Sequence, residues 1–169
     1  QTKRLFFIYN PCSGRGLIRT KLFGILQVFS DAGYEMTVHP TRACRDAVEQ
    51  IRGLPDGYDL VVCSGGDGTL DEVVQGMMQR EKKIPVGYIP AGTVNDFARS
   101  LRIPRNMESA ARIAVEGQNY PVDIGTFNSE YFVYIAAFGV FTDVSYSTSQ
   151  DMKNVLGHMA YLLEGVKRL

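Results

Sequence analysis

The chain has 169 residues, 45% hydrophobic and 21% charged, a balance that fits a globular chain and excludes a disordered one. Lysine plus arginine equals aspartate plus glutamate at 18 each, which argues against a nucleic-acid binder working through a broad basic surface. Cys12, Cys44 and Cys63 form an odd set without CxxC spacing, and the histidines are only His39 and His158; this disfavours zinc and suits a reducing, cytoplasmic compartment.

The chain opens with a short apolar-aromatic run, KRLFFIYN at 3–10, which reads as a buried strand and not as a signal peptide. A turn cluster, PCSGRG, stops it at 11–16. From 18 to 32 apolar residues fall at helical spacing, with Gly33 as the stop. Residues 34–41 alternate as a strand does. Residues 46–53 read as a helix. DLVVCS at 59–64 is a strand, with Cys63 in the core; Cys12 stands in a loop. Residues 70–79 place Leu70, Val73, Val74, Met77 and Met78 on one helical face. PVGYIP at 85–90 is a fourth strand, and 93–101 and 107–117 are further helices. After Tyr120 the pattern changes. Segments 122–126 and 131–138 follow one another as hairpin strands around Asn128-Ser129, and 154–169 is helical. No apolar stretch approaches the roughly 20 residues of a membrane span.

Residues 1 to about 120 therefore alternate strand and helix four times, which means a parallel sheet with helices on both faces. Ligands of such sheets bind beyond the carboxyl ends of the strands. The clusters NPCSG, SGGDGT and PAGTVND each follow a strand, so they should converge on one rim. A boundary near 121 separates this unit from a second, more β-rich one. The last helix ends the chain with nothing after it to pack on, so the sequence reads as a fragment of a longer protein.

A strand, then glycines, then a helix is an arrangement that holds phosphate. Glycine permits positive φ and close approach, and a helix start offers unpaired N–H donors. Gly65, Gly66 and Gly68 fit the turn and Thr69 fits the helix cap. A plain tight turn with a capping threonine explains the glycines equally well. Asp67 does not fit that reading. A carboxylate beside phosphate is repulsive unless Mg²⁺ or a proton to be accepted offsets it, so Asp67 points to phosphoryl transfer. The P-loop spacing and GxGxxG are both absent.

SGGDGTLDEVVQG, with NPCSG before it and PAGTVNDFAR after it, resembles the diacylglycerol kinase catalytic family, which includes bacterial lipid kinases, sphingosine kinases and ceramide kinases. GGDGT alone is shared with NAD kinases and phosphofructokinases; the three motifs in this order are far more specific. The likeness continues through VDIG, FGVFTDVSY and LGHMAYLLEGVK and is strongest to soluble bacterial diacylglycerol kinases.

The resemblance implies a two-domain lipid kinase using ATP and Mg²⁺. Residues 1–121 would be a Rossmann-like α/β unit that binds ATP. Residues 122–169 would open a β-sandwich lipid kinase domain. By motif, Asn10, Ser13, Gly14 and Thr41 would contact the nucleotide. Gly65, Gly66, Asp67, Gly68 and Thr69 would wrap its phosphates with Glu72 nearby, and Thr93, Asn95 and Asp96 would complete the rim. Asp67 would be catalytic. Relatives differ on whether this aspartate or a downstream acid is the base. Asp143 would contact the lipid head group, a solvated loop carboxylate being the alternative. Asp71 reads as exposed helix surface, and Asp123 as a capping or hairpin residue, with a place facing the cleft as the alternative. Arg15 and Arg19, and the cluster Arg99, Arg102 and Arg105, could meet phosphate or anionic lipid.

The activity implied is transfer of the γ-phosphate to a lipid hydroxyl, diacylglycerol first. It would involve peripheral membrane contact and a possible homodimer. The competing readings are an NAD kinase and a nucleotide-binding regulatory module without catalysis.

Overall fold

The computed structural model describes residues 2–127 and 130–133. Four strands form a parallel sheet in the order β2-β1-β3-β4. These are β1 (Lys3–Tyr9), β2 (Tyr34–Pro40), β3 (Leu60–Gly65) and β4 (Val86–Pro90). Every residue of β3 is buried, and so are Leu5, Phe6, Phe7 and Ile8 of β1. Central strands of a parallel sheet are covered on both faces, which is why they read as unbroken apolar runs. β2 lies at an edge and alternates in burial.

The helices are α1 (Ile18–Asp31), α2 (Asp46–Arg52), α3 (Asp67–Met78), α4 (Asp96–Ser100) and α5 (Met107–Glu116). One core lies between the sheet and α2, α3 and α4. It contains Phe6, Ile8, Val61 and Cys63 with Ile51, Val73 and Phe97. The other lies between the sheet and α1 and α5, where Leu5, Phe7, Val62 and Ile89 meet Ile25, Phe29 and Met107. The expected α/β sheet with helices on both faces is therefore present. From β1 the chain moves outward to β2, then crosses back to β3 on the far side. Right-handed crossovers in opposite directions put α1 and α2 on opposite faces.

Several boundaries differ from the sequence reading. α3 begins at Asp67, three residues before Leu70. Its N-cap is Gly66, without a side-chain cap bond, and Thr69 lies inside the first turn. The helix expected over 93–101 shrinks to Asp96–Ser100, because Asn95 adopts the left-handed conformation at φ 53. The hairpin is β5 (Gly125–Phe127) with β6 (Glu130–Phe132), antiparallel and separate from the main sheet; the part of the expected second strand beyond 133 lies outside the described residues. The helix expected at 154–169, Asp143 and His158 lie outside the described residues.

One buried cation escaped the sequence reading. Arg80, 9% exposed, donates to the carbonyls of Ile51 (3.1 Å), Leu54 and Lys82 (3.2 Å), and to the Asp56 carboxylate (3.2 Å). It ties the end of α2 to the end of α3 on the rim opposite the glycine clusters. A broad hollow of about 710 Å³ opens there, lined by Arg52, Asp56, Arg80 and Lys82. It is remote from the strand ends where an α/β sheet places its chemistry, and its buried member already has its acceptors.

Candidate functional site

The strand order reverses between β1 and β3, and this is where an open α/β sheet leaves a crevice. The two strands end level, with Tyr9 opposite Ser64. Asn10 crosses the gap. Its backbone N–H donates to the Ser64 carbonyl (2.9 Å) and its amide Nδ2 to Thr69 Oγ1 (3.4 Å). Its Oδ1 accepts from Cys12 N–H at 2.9 Å, which turns the chain into the first loop. Gly14 follows at φ +51, and Ser13 is buried.

The three loops touch through glycine. A Cβ on Gly14 would stand 1.9 Å from the Ala91 carbonyl oxygen, and one on Gly92 would stand 2.7 Å from Gly66 Cα. A Cβ on Gly65 would meet the Thr69 side chain at 2.5 Å. Gly65, Gly66 and Gly68 do not use positive φ, which falls instead at Gly14 and Gly16 in the first loop. In the second loop close approach requires glycine at Gly65, while a Cβ on Gly66 would stand in ordinary contact 3.5 Å from Gly92 Cα. Gly68 is the exception: a Cβ there would meet nothing within 4 Å.

Asp67 is the first residue of α3, and its carboxylate caps another helix. Oδ2 accepts from Asp96 N–H at 2.9 Å and Oδ1 from Phe97 N–H at 3.4 Å, two of the donors that the start of α4 leaves unpaired. Burial pushes the Asp67 carboxyl above its ordinary pKa, against these two hydrogen bonds, which favour the charged form. Asp96 stands beside it and pairs with Arg99 at 3.5 Å. Asn95 Oδ1 accepts from Gly92 N–H at 2.9 Å and its Nδ2 donates to the Gly92 carbonyl at 2.6 Å. The third loop is thus closed on itself and held to the second by Asp67.

The remaining site residues spread further. Thr41 N–H donates to the Tyr9 carbonyl at 2.8 Å, so it extends β2 beside the first loop. Glu72 reaches the loop after β2, where its Oε1 accepts from Arg45 N–H at 3.0 Å. His39 Nε2 and Asp46 Oδ2, 3.0 Å apart, brace the same loop from behind. That hydrogen bond is the main reason the Asp46 carboxyl lies below the ordinary range. Thr93 is exposed on the third loop. A hollow of about 50 Å³ beside that loop is lined by Asn95, Arg99 and Arg105, so two of the three clustered arginines reach the rim. Arg15, Arg19 and Arg102 are exposed, as is Asp123 just ahead of β5.

Asp71 overturns its expectation. It is half-buried, accepts from Val133 N–H at 3.3 Å, and burial together with nearby Asp67 pushes its pKa up to about 6. A helix-face pattern gave no sign of this, because Val133 is 62 residues away.

The model of the diacylglycerol kinase catalytic domain matches residues 4–127. The chain belongs to the diacylglycerol kinase catalytic-domain family. A diacylglycerol kinase of Staphylococcus carnosus (strain TM300) is 42% identical over 168 residues, which are 99% of this chain and 55% of that protein. One from Staphylococcus aureus (strain JH9) is 41% identical, over 99% and 53%. A solved chain from Bacillus anthracis str. Sterne superposes with TM-score 0.81 at 28% identity, covering 99% of this chain and 55% of that one. A diacylglycerol kinase structure from the same organism gives TM-score 0.69 at 30% identity, over 77% and 45%. The chain spans about half the length of the curated relatives it matches.

Within this family member, Tyr88 on β4 is a site residue that the motifs did not reveal. Its hydroxyl lies 3.1 Å from the Gly65 carbonyl and 3.4 Å from Asn95 Oδ1, so it sits between the second and third loops. Burial raises its pKa, so it remains a neutral donor. Tyr88→Phe removes only that hydroxyl. One neutral buried hydrogen bond is worth about 1 kcal/mol. A fall in Tm of about 2–4 °C is therefore expected in thermal melting. An unchanged Tm would show that the hydroxyl does not hold the loops.

Proposed function

We propose that the chain is the nucleotide-binding portion, with the opening of the acceptor portion, of an ATP-dependent lipid kinase. Residues 1–121 form the first and 122–169 begin the second. The acceptor is a lipid primary hydroxyl, diacylglycerol before other classes, and the product is then phosphatidic acid. The hydroxyl oxygen attacks the γ-phosphorus, the bond to the β–γ bridging oxygen breaks, ADP leaves, and the hydroxyl proton passes to a carboxylate or to solvent.

Gly68 carries this reading. Glycine in the first turn of a helix costs about 0.5–1 kcal/mol relative to alanine. Gly65 and Gly92 are explained by contacts of the chain with itself; Gly66, whose Cβ would stand in ordinary contact 3.5 Å from Gly92 Cα, is explained only in part. Gly68, exposed and facing open space, is not explained by such contacts. A ligand that approaches the backbone at the start of α3 explains it, and this helix end offers N–H donors and positive potential suited to phosphate. The residues also fit Mg²⁺. That ion takes one or two carboxylates plus phosphate oxygens, and Asp67 and Asp96 supply two. Among the described residues no three metal-ligating side chains converge, so the phosphates would complete the shell. When bound, Mg²⁺ neutralises charge on the transferring group. Asp67 orients the acceptor hydroxyl; Asn10, Ser13, Gly14, Thr41, Thr69, Glu72, Thr93, Asn95 and Asp96 shape the nucleotide rim.

Among the described residues no helix is long and apolar enough to cross a membrane. Leu17 and Phe23 are 48% and 79% exposed, and Arg15 and Arg19 are exposed beside them. These residues support transient contact of α1 with an anionic lipid surface.

The test uses the natural full-length protein with γ-labelled ATP, Mg²⁺ and mixed micelles of diacylglycerol, with NAD in separate tubes. Label in the organic extract is expected; label on NAD alone overturns the reading. Gly68→Ala sharpens it. The variant should fold with equal or slightly greater stability, by about 0.5–1 kcal/mol. Its KM for ATP should nevertheless rise about ten-fold, as a lost contact near 1.4 kcal/mol would give. An unchanged KM would leave the open space without a phosphate.

A further inference from the structure

Asp67, Asp71 and Gln75 stand four residues apart on α3 and so share one face. Each uses a side-chain oxygen to accept a backbone N–H from another element. Asp67 takes those of Asp96 and Phe97 at the start of α4. Asp71 takes that of Val133 at 3.3 Å, and Gln75 that of Tyr131 at 2.7 Å. Gln75 is 9% exposed and Asp71 half-buried. Polar side chains on a buried helical stripe are costly unless bonded, so their pairing with the hairpin gives the stripe its purpose.

The hairpin needs such partners. Among the described residues β6 pairs with β5 on one side only, through Gly125↔Phe132, Thr126↔Tyr131 and Phe127↔Glu130. Tyr131 and Val133, two residues apart, turn their N–H groups the other way, where a third strand would stand. Oxygens one helical turn apart on α3 occupy that place. The Tyr131, Val133 and Ile124 side chains pack against the same core as Val73 and Met77, which fixes the spacing of helix and hairpin.

We infer that Asp71 and Gln75 are positioning residues that set the β5–β6 hairpin, and the acceptor-binding unit it opens, in register with Asp67. The inference rests on the lipid-kinase reading for its functional half. α3 is then one rigid bar with the phosphate-facing carboxylate at its start and the hairpin attachment one and two turns later. Loss of the attachment displaces the acceptor hydroxyl relative to Asp67 and leaves the nucleotide rim untouched.

The test uses the full-length protein and variants Gln75→Met, Asp71→Ala and Asp71→Asn. Amide exchange is read at Tyr131 and Val133, and KM is read separately for ATP and for diacylglycerol in mixed micelles. Gln75→Met should speed exchange at Tyr131 and raise KM for diacylglycerol, each about ten-fold, with KM for ATP within two-fold. Asp71→Ala should do the same at Val133. Asp71→Asn keeps an acceptor oxygen and should remain within two-fold of wild type in both readouts. Unchanged exchange in Gln75→Met, an equal rise of both KM values, or an Asn variant as damaged as the Ala variant would overturn the inference. A wild-type protein that phosphorylates no lipid overturns the kinase reading, while the exchange data still judge the attachment.

Discussion

Asp67→Asn is expected to lower kcat for phosphoryl transfer by about 10²–10³ in the full-length protein, the range for removing one preorganised electrostatic or proton-handling group. The substitution is close to isosteric and keeps one carbonyl oxygen, which can still accept from Asp96 N–H. The amide NH₂ then faces Phe97 N–H, donor against donor, where the carboxylate accepted at 3.4 Å. The cap of α4 weakens by about 1 kcal/mol, visible as a small fall in Tm. ATP binding should persist, because the retained amide oxygen still ties the third loop through Asp96 N–H and the contacts of Asn10, Gly14 and Gly92 do not involve the carboxylate. Binding by calorimetry and label transfer from γ-labelled ATP, measured on the same preparation, separate the two effects. A kcat within ten-fold of wild type would reduce Asp67 to a structural cap and remove it from the chemistry.

Gly14→Ala should produce the second large effect, a loss of nucleotide affinity of about ten-fold or more together with a lower Tm. Two costs coincide there. Alanine at φ +51 is disfavoured by about 1–2 kcal/mol. Its methyl would also overlap the Ala91 carbonyl oxygen at 1.9 Å. That neighbour is backbone at the end of β4 and has no rotamer by which to yield, so the first and third loops must separate. Ala91 N–H is itself bonded to the Gly65 carbonyl at 2.8 Å, so the displacement reaches the second loop as well. Thermal melting and ATP titration of the variant check this. Wild-type affinity would mean that the loops move apart at little cost and that their close packing does not shape the site.

Chain-local patterns gave the sheet and its helices. The continuous apolar runs in β1 and β3 come from burial on two faces, and the period of α1 and α3 comes from burial on one. Both are legible without knowing the partner. The placing of all three glycine clusters after strands was legible for the same reason. So was Cys63 in the core. The glycines misled in one respect. Their type announced a tight site, but positive φ belonged to Gly14 and Gly16 of the first loop, while Gly65 is packed against Thr69 at the start of α3 and Gly92 against Gly66 of the second loop. Thr69 looked like a cap because a capping residue is recognised by type and position, and the true start of α3 lies earlier, at Asp67.

The sequence by itself determined which elements form, which faces they bury, and that three glycine-bearing loops share one rim with a carboxylate among them. Only the tertiary structure decided what each polar group holds: Asp67 on α4, 29 residues away, Asp71 and Gln75 on β6, Tyr88 between two loops, and Arg80 across two helix ends. Periodicity is a property of neighbours along the chain, set by the geometry of one helix or strand. A hydrogen-bond partner tens of residues away is chosen by strand order and by which backbone groups are left unpaired once the layers pack, and neither is written in any local stretch.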